Sequence, residues 1–267
     1  MSKLDAQWLA EQADANFVIH AGWAQRRLAM MRVVEDEALV LIDSGLACDT
    51  FNLICRARLG HDLAAQRISA AIDYFAREKR PFSWWVGPAD QPADLGQRLL
   101  EAGLRREDSE LAMAADLRQL TLAEPWPDGL RIERVQTPAQ LRDFAQVVAA
   151  NWTPPDPLVL RFYELAAPLL LSPQSPCWFY VGYLGDTPVA TAELTVSGEV
   201  VGLYSVCTLD GYRRRGFGGA LTRQPLVDAW AAGYTVAVLQ ASAEGASVYG
   251  RLGFALFGEI NEYKPAA

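Results

Sequence analysis

The same order of predicted elements closes both halves of this 267-residue chain, and this repetition limits the fold more than any other feature. Each half ends with a helix, a strand, a second helix, a glycine followed by an apolar residue, and a last strand. Residues 99–104 (LLEAGL) can be laid beside residues 249–254 (YGRLGF). Self-similarity of this kind is typical of duplicated units. The sequence therefore predicts a diverged internal duplication.

A run of turn-forming residues at 122–129 (LAEPWPDG) marks the boundary between the two halves. Two prolines and an Asp-Gly pair separate the periodic segments on either side. A chain of this length fits one large domain or two ordinary ones. We therefore predict one domain over residues 1–123 and a second over residues 129–267.

Hydrophobic periodicity in the second half predicts the order βααβββαβαβ. Thr137 and Pro138 form a helix start, with an N-cap residue followed by proline at the first helical position. Two prolines lie inside predicted helices: we expect Pro168 to end or kink its helix, and Pro225 to kink its own. The order predicts an α/β fold, with a mixed central sheet and helices on both faces, in two tandem domains. The predicted strands cover residues 130–135, 177–183, 188–196, 200–208, 234–240 and 255–263.

Charge and composition exclude several classes of partner. The formal net charge of −8 repels phosphate backbones and anionic lipid, so we expect no nucleic-acid or membrane partner. No apolar run approaches the ~20 residues of a membrane span, and the first residues lack a signal-peptide core, so we expect a cytoplasmic protein. The four cysteines are scattered and the histidines are two, which predicts no metal site and four buried cysteines.

A basic, glycine-rich run at 213–220 (RRRGFGGA) follows one predicted strand and opens a predicted helix. The first amides of a helix have no intrahelical partner, and the helix dipole makes that end partially positive. Glycines allow close approach of the backbone, and arginines add charge. The run therefore predicts a cradle for a diphosphate. The alternative is an ordinary turn with a solvated basic edge.

Two motifs carry a family resemblance. Arg213, Gly216 and Gly218 match the pattern Gln/Arg-x-x-Gly-x-Gly/Ala, and Tyr249 lies on a short predicted helix ahead of a Gly-Phe pair. On these matches the second half resembles the GNAT superfamily of acyl-CoA-dependent N-acyltransferases, whereas the first half resembles it only over residues 82–117. The resemblance implies transfer of an acetyl group from acetyl-CoA to a primary amine by direct attack.

The resemblance also implies which residues bind acetyl-CoA as the co-substrate. The backbone of Val206 and Thr208 would hold the pantetheine arm on a strand that splays from its neighbour, and the Cys207 N–H would stabilise the oxyanion. Ser242 stands where many family members have an asparagine that contacts the cofactor. The diphosphate would lie against the main chain of Arg213, Arg214, Arg215, Gly216, Phe217, Gly218 and Gly219, with Ala220 in the first helical turn.

Two residues are candidates for acid–base catalysis. Tyr249 would be the general acid, because a phenol with a pKa of ~10 can protonate or hydrogen-bond a leaving thiolate whose thiol has a pKa of ~8.5. Glu193, in a predicted strand, would take the proton of the amine. The alternatives are a half-buried structural tyrosine, an exposed strand glutamate, and deprotonation through water.

Three functional hypotheses remain at this point. The first is an active N-acetyltransferase, and the second is a non-catalytic acyl-CoA-binding or scaffolding protein. The third, a dinucleotide-binding protein, is disfavoured because Leu221 stands where that fingerprint needs a glycine. In the first half Leu99 replaces the tyrosine, which predicts a degenerate copy that cannot acetylate. The acceptor would be a small-molecule amine or a peptide, and a homodimer is one option for the assembly.

Overall fold

The chain divides into two α/β units in a computed structural model that describes residues 5–120, 122 and 125–266. One unit combines Met1–Ala112 with Leu256–Ala267, and the other is Met113–Ala255. The last strand thus groups with the first unit, which is the main difference from the predicted limits of 1–123 and 129–267. Residues 1–4, 121, 123–124 and 267 lie outside the described residues, and they include part of the predicted linker and both ends of the chain.

The first unit is built on a mixed sheet with the strand order β1-β2-β3-β4-β11-β5. Strands β3 and β4 are parallel, whereas β1–β2, β2–β3 and β4–β11 are antiparallel. Trp84 on β4 and Phe75 on α2 are fully buried in one hydrophobic core of this unit. The elements are α1 (Ala6–Gly22), β1 (Arg32–Glu35), β2 (Val40–Asp43), β3 (Leu53–Cys55), α2 (Ala64–Glu78), β4 (Ser83–Val86), α3 (Leu95–Glu101), most of β5 (Leu104–Asp116), and β11 (Ala255–Pro265).

The second unit has the strand order β6-β7-β8-β9-β10, in which β9 and β10 are parallel and the other neighbours are antiparallel. With β11 added, its elements follow the predicted order, and the predicted α/β class is confirmed. The elements are β6 (Leu130–Arg134), α4 (Pro138–Ala149), α5 (Pro157–Leu170), β7 (Cys177–Leu184), β8 (Thr187–Ser197), β9 (Val200–Thr208), α6 (Phe217–Ala231), β10 (Val236–Ala241) and α7 (Ala246–Leu252).

Helices cover both faces of the sheet in the second unit. On one face, the Phe144 ring of α4 lies 5.0 Å from the Phe179 ring of β7. On the other face, the Tyr180 hydroxyl of β7 donates a 2.8 Å hydrogen bond to Asp228 of α6. Successive residues of a strand point to opposite faces, so these two contacts identify the α4 face and the α6 face.

Local sequence signals explain the start of α4 and the end of α5 in this unit. The Thr137 side chain accepts from the Gln140 amide, and the Gln140 side chain accepts in return, which forms a capping box at the start of α4. Pro168 lies in the last turn of α5, which ends at Leu170 as expected. Pro225 is buried inside α6 and does not end it, because the helix continues to Ala231. Within the described residues, no helix is long and apolar enough to cross a membrane.

Candidate functional site

Strands β9 and β10 part before they end, and this opens a cleft in the sheet of the second unit. Their paired residues stop at Leu203 and Leu239, although β9 continues to Thr208. Where β9 pairs with β8 it carries a bulge, and Ser205 in this bulge has a φ of 49°. The Thr191 hydroxyl on β8 donates a 2.9 Å hydrogen bond to the Ser205 carbonyl. The bulge bends the end of β9, as expected for an extra residue in one strand.

A cavity of about 330 Å³ lies at this cleft. Eight of the predicted site residues line it: Val206, Cys207, Thr208, Arg213, Gly218, Gly219, Ser242 and Tyr249. The remaining lining residues are Asn151, Thr222, Glu244, Gly245 and Val248. The fold therefore gathers residues from β9, the start of α6, the end of β10 and α7 around one space.

The start of α6 presents unprotected backbone amides to this cavity. Gly216 is the N-cap at a φ of 81°, and no side chain caps the helix. The first amide with an intrahelical partner is that of Ala220, which donates to the Gly216 carbonyl at 3.0 Å. A Cβ at Gly218 would lie 3.7 Å from the Thr208 hydroxyl oxygen, so a side chain there would fill the space between α6 and β9. The site is thus suited to an anion.

Tyr249 is half-buried on α7, at the wall of the same cavity. Gly245 allows its close packing, because a Cβ at that position would lie 3.1 Å from the tyrosine Cε2 and 3.3 Å from the Ser242 Oγ. The Ser242 Oγ accepts a 3.2 Å hydrogen bond from the Gly245 amide. The Phe254 ring meets the Tyr249 ring edge-on at 6.0 Å. These contacts hold the phenol in a defined position.

Comparisons with known proteins agree on the architecture. Residues 180–263 match the model of the family described as FR47-like protein. A GCN5-related N-acetyltransferase from Kribbella flavida is similar at 21% identity, with a TM-score of 0.71 over 95% of this chain and 96% of that one. A GCN5-related N-acetyltransferase from Sphaerobacter thermophilus is similar at 16% identity, with a TM-score of 0.63 over 97% and 92%.

A tandem GNAT protein from the clavulanic acid biosynthesis pathway is similar at 13% identity, with a TM-score of 0.64 over 98% of this chain and 95% of that one. Among curated proteins, none matches the chain significantly. The chain has a tandem GNAT fold. The predicted resemblance is confirmed at this level, with an FR47-like domain in the C-terminal part. A GNAT fold suggests acetyltransferase activity.

The other residues of the predicted motif at 213–220 lie outside the cavity lining. Phe217 and Ala220 are buried and anchor the first turns of α6. The Arg215 guanidinium packs over the Phe217 ring at 4.9 Å, and Arg214 is exposed with a φ of 59°. Arg213 alone of the three arginines lines the cavity. Its Nε donates to the Thr208 carbonyl at 3.1 Å, which ties the loop to the end of β9.

Glu193 is buried, with 3% of its surface exposed, so the exposed-strand alternative is wrong. It pairs with Phe179 and therefore lies on the α4 face of a sheet whose two faces are both covered. The Thr195 hydroxyl donates to its Oε1 at 3.0 Å. Burial, followed by the charge of Glu193, raises the pKa of the Tyr163 hydroxyl. Glu193 is not among the residues that line the cavity.

The backbone of Cys207 is directed away from the GNAT cleft. The Leu209 amide donates to the Val189 carbonyl of β8 at 3.0 Å, and amides two residues apart in a strand point the same way. The Cys207 N–H therefore faces β8, which disfavours the oxyanion contact expected for it. The Thr208 amide, one residue on, faces the cleft. Of the four predicted buried cysteines, Cys207 is half-buried and the other three are buried.

Asn151 is a lining residue that no sequence motif indicates. It follows α4, and its Nδ2 donates to the Val148 carbonyl at 3.0 Å and to the Cys207 Sγ at 2.9 Å. These two donor contacts orient the amide. Desolvation raises the pKa of the Cys207 thiol, which keeps the sulfur protonated at neutral pH. The α4 face of the cavity thus presents a fixed amide beside a neutral thiol.

In the first unit, the gap between the ends of the parallel strands β3 and β4 is closed. After the parallel strands β3 and β4, the backbone of Gln91 bonds to residues 57–59, donating at 2.9 Å and accepting at 3.0 Å. Arg58 closes the same gap with its side chain, donating to Asp14 at 2.7 Å and to Asp90 at 2.9 Å. The segments that follow β3 and β4 are therefore hydrogen-bonded to each other, whereas β9 and β10 part in the second unit.

Proposed function

We propose that the protein is an acetyl-CoA-dependent N-acetyltransferase that transfers the acetyl group to a primary amine by direct attack. One observation carries this proposal. A single cavity, at the point where two parallel strands part, is bordered by the uncapped start of α6 and by Tyr249. A helix start whose amides suit an anion and a tyrosine hydroxyl that could donate a proton thereby border the same space.

The residues of this cavity fit acetyl-CoA, which supplies an activated acetyl thioester when bound. The amides of Gly218 and Gly219 would hold the diphosphate, because no side chain competes for them and the helix dipole adds positive charge. Arg213 would contribute charge at the rim. The cleft-facing backbone of Val206 and Thr208 would bond the pantetheine arm.

The two faces of β9 separate the co-substrate from the acceptor. Thr208 faces α6, because its hydroxyl lies next to Gly218, whereas Cys207 faces the end of α4, where Asn151 bonds its sulfur. Successive side chains of a strand point to opposite faces. The amine would therefore approach past Asn151, opposite the side that holds the diphosphate. This geometry suits direct attack without a covalent enzyme intermediate.

Proton transfer follows from the same geometry. The new N–C bond forms as the C–S bond breaks, and the Tyr249 hydroxyl donates its proton to the departing sulfur. The phenol then regains a proton from solvent. We assign removal of the amine proton to water, because Glu193 is buried, bonded to Thr195 and outside the cavity lining. Acid catalysis of this type contributes roughly 10²–10⁴-fold to a rate.

We propose a cationic acceptor, either a small-molecule amine or a peptide. Glu244 adds an exposed carboxylate to the lining, and the net charge of −8 attracts cations while it repels nucleic acid and anionic lipid. A cytoplasmic location and the oligomeric state stay predictions.

The test is thiol release from acetyl-CoA with a panel of primary amines. We expect turnover by the wild type and a loss of roughly 10²-fold or more in kcat for Tyr249→Phe, with coenzyme A affinity unchanged. Tyr234→Phe is the matched control, because Tyr234 is also half-buried but packs on Trp178. Equal rates for the wild type and Tyr249→Phe would remove Tyr249 from the mechanism. Coenzyme A binding without turnover of any amine would favour the non-catalytic alternative.

A further inference from the structure

A short segment, residues 125–127, packs against the first turns of α6. Pro127 Cγ lies 3.4 Å from the position that a Cβ on Gly216 would occupy. The Pro125 carbonyl accepts a 3.4 Å hydrogen bond from Arg223, which lies on α6 one turn after Gly219. This segment therefore forms a wall directly beside the amides that we assign to the diphosphate.

Arg223 links this wall to the helix. It is 4% exposed, its guanidinium carbon lies 5.1 Å from the centre of the Trp126 ring, and its Nη1 lies 3.5 Å from the Cβ position of Gly219. A guanidinium over an indole face is an attractive arrangement that also restrains the ring. Trp126 is thus held in place by a buried cation.

Trp126 nevertheless stays 43% exposed. A large aromatic side chain that is fixed on one face and open to solvent elsewhere is a surface prepared for a planar ligand. Pro127, the next residue, lies beside Gly216, and Arg223, which packs on the ring, lies beside Gly219, so the residues around Trp126 adjoin the candidate anion site. The ligand group that fits here is consequently an aromatic ring attached to a phosphate.

We propose that Trp126 is the stacking platform for the adenine ring of the co-substrate. This proposal rests on the proposed function. In acetyl-CoA the thioester, pantetheine, diphosphate and adenosine follow one another, so a thioester at Tyr249 and a diphosphate at Gly218 and Gly219 leave the adenosine beyond the cradle. Trp126 flanks the cradle, and every purine has a face that can stack on an aromatic side chain.

Calorimetry with two ligands tests this assignment. Coenzyme A carries the adenosine, whereas 4′-phosphopantetheine lacks it. We expect Trp126→Ala to bind coenzyme A about tenfold more weakly, equivalent to about 1.4 kcal/mol, and to bind 4′-phosphopantetheine like the wild type. Trp126→Phe should retain most of the affinity, because it keeps an aromatic face. Thermal unfolding of each variant verifies that it is folded.

Trp230→Ala is the matched control. Trp230 is 45% exposed on α6, about 20 Å along the helix axis from Gly216. Its replacement by alanine should leave the affinities for both ligands unchanged. Wild-type affinity of Trp126→Ala for coenzyme A would overturn the proposal and leave the proposed function standing. An equal loss for both ligands would also overturn it, because the tryptophan would then act on the cradle itself. No coenzyme A binding by the wild type would remove both proposals.

Discussion

A side chain at Gly218 should block coenzyme A binding without unfolding the protein. The Cβ of Gly218→Val would lie 3.7 Å from the Thr208 hydroxyl, which is an ordinary contact, and Gly218 does not have a positive φ. Backbone strain is therefore absent, and the helix tolerates valine at a cost similar to that of glycine. The two methyl groups reach about 1.5 Å further, into the space over the helix amides.

The size of the effect follows from the amides that become inaccessible. A hydrogen bond to a charged group contributes about 1.5–3 kcal/mol, so loss of one such bond to the diphosphate weakens binding by roughly 10- to 150-fold. We expect calorimetry to show that Gly218→Val binds coenzyme A at least about tenfold more weakly than the wild type. The unfolding midpoint should stay close to that of the wild type.

Gly211→Val is the control for this experiment. Gly211 precedes the same loop, it is exposed, and a Cβ there would meet no atom within 4 Å. Its affinity for coenzyme A should equal that of the wild type. If Gly218→Val bound coenzyme A like the wild type while remaining folded, the start of α6 would not be the diphosphate site, and the argument from the uncapped amides would be wrong.

Two further predictions concern stability. Gly216→Ala should lower the free energy of unfolding by about 1 kcal/mol, because alanine at a φ of 81° adopts a left-handed conformation that costs ~1–2 kcal/mol. Burial, reinforced by the charge of Asp14, raises the pKa of Asp90 to about 8. The folded chain then keeps a proton that the unfolded chain releases, so this group should make stability fall as pH rises from about 4 to about 8.

Chemical denaturation measures both effects. Gly60→Ala is the control for Gly216→Ala, because Gly60 has open space around it and no positive φ, and it should change stability little. Equal unfolding free energies for the two variants would contradict the conformational argument. For the aspartate, Asp90→Asn should lose less stability between pH 5 and pH 8 than the wild type does. If the free energy of unfolding changed with pH equally in the wild type and Asp90→Asn, Asp90 would not be the group that holds the extra proton.

The parts of the fold that sequence predicts are those with local signals. Thr137 and Pro138 mark the start of α4, and the glycine run at 213–220 marks the turn into α6, so the order of elements in the second half could be deduced. Pro225 lies inside α6 as predicted, and its burial there offsets its local preference against helix. The burial of Glu193 could not be predicted, because strand alternation does not reveal that helices cover both faces of the sheet.

The site was predictable only where residues are close in sequence to a motif. Asn151 reaches Cys207 across 56 residues, and Arg223 reaches Pro125 across 98. Tertiary packing creates these contacts, and neither asparagine nor arginine carries a signal at its own position that announces them. The direction of the Cys207 amide depends on the register between β8 and β9, which a single sequence does not specify.

The position of β11 in the sheet of the first unit limits where the protein can be truncated. A fragment that stops at residue 112 would encode the first unit without a strand from the interior of its sheet, between β4 and β5. Both neighbours would then expose rows of unpaired amides and carbonyls, which invite aggregation. A single cut at the linker would therefore remove from the first unit a strand that its sheet contains.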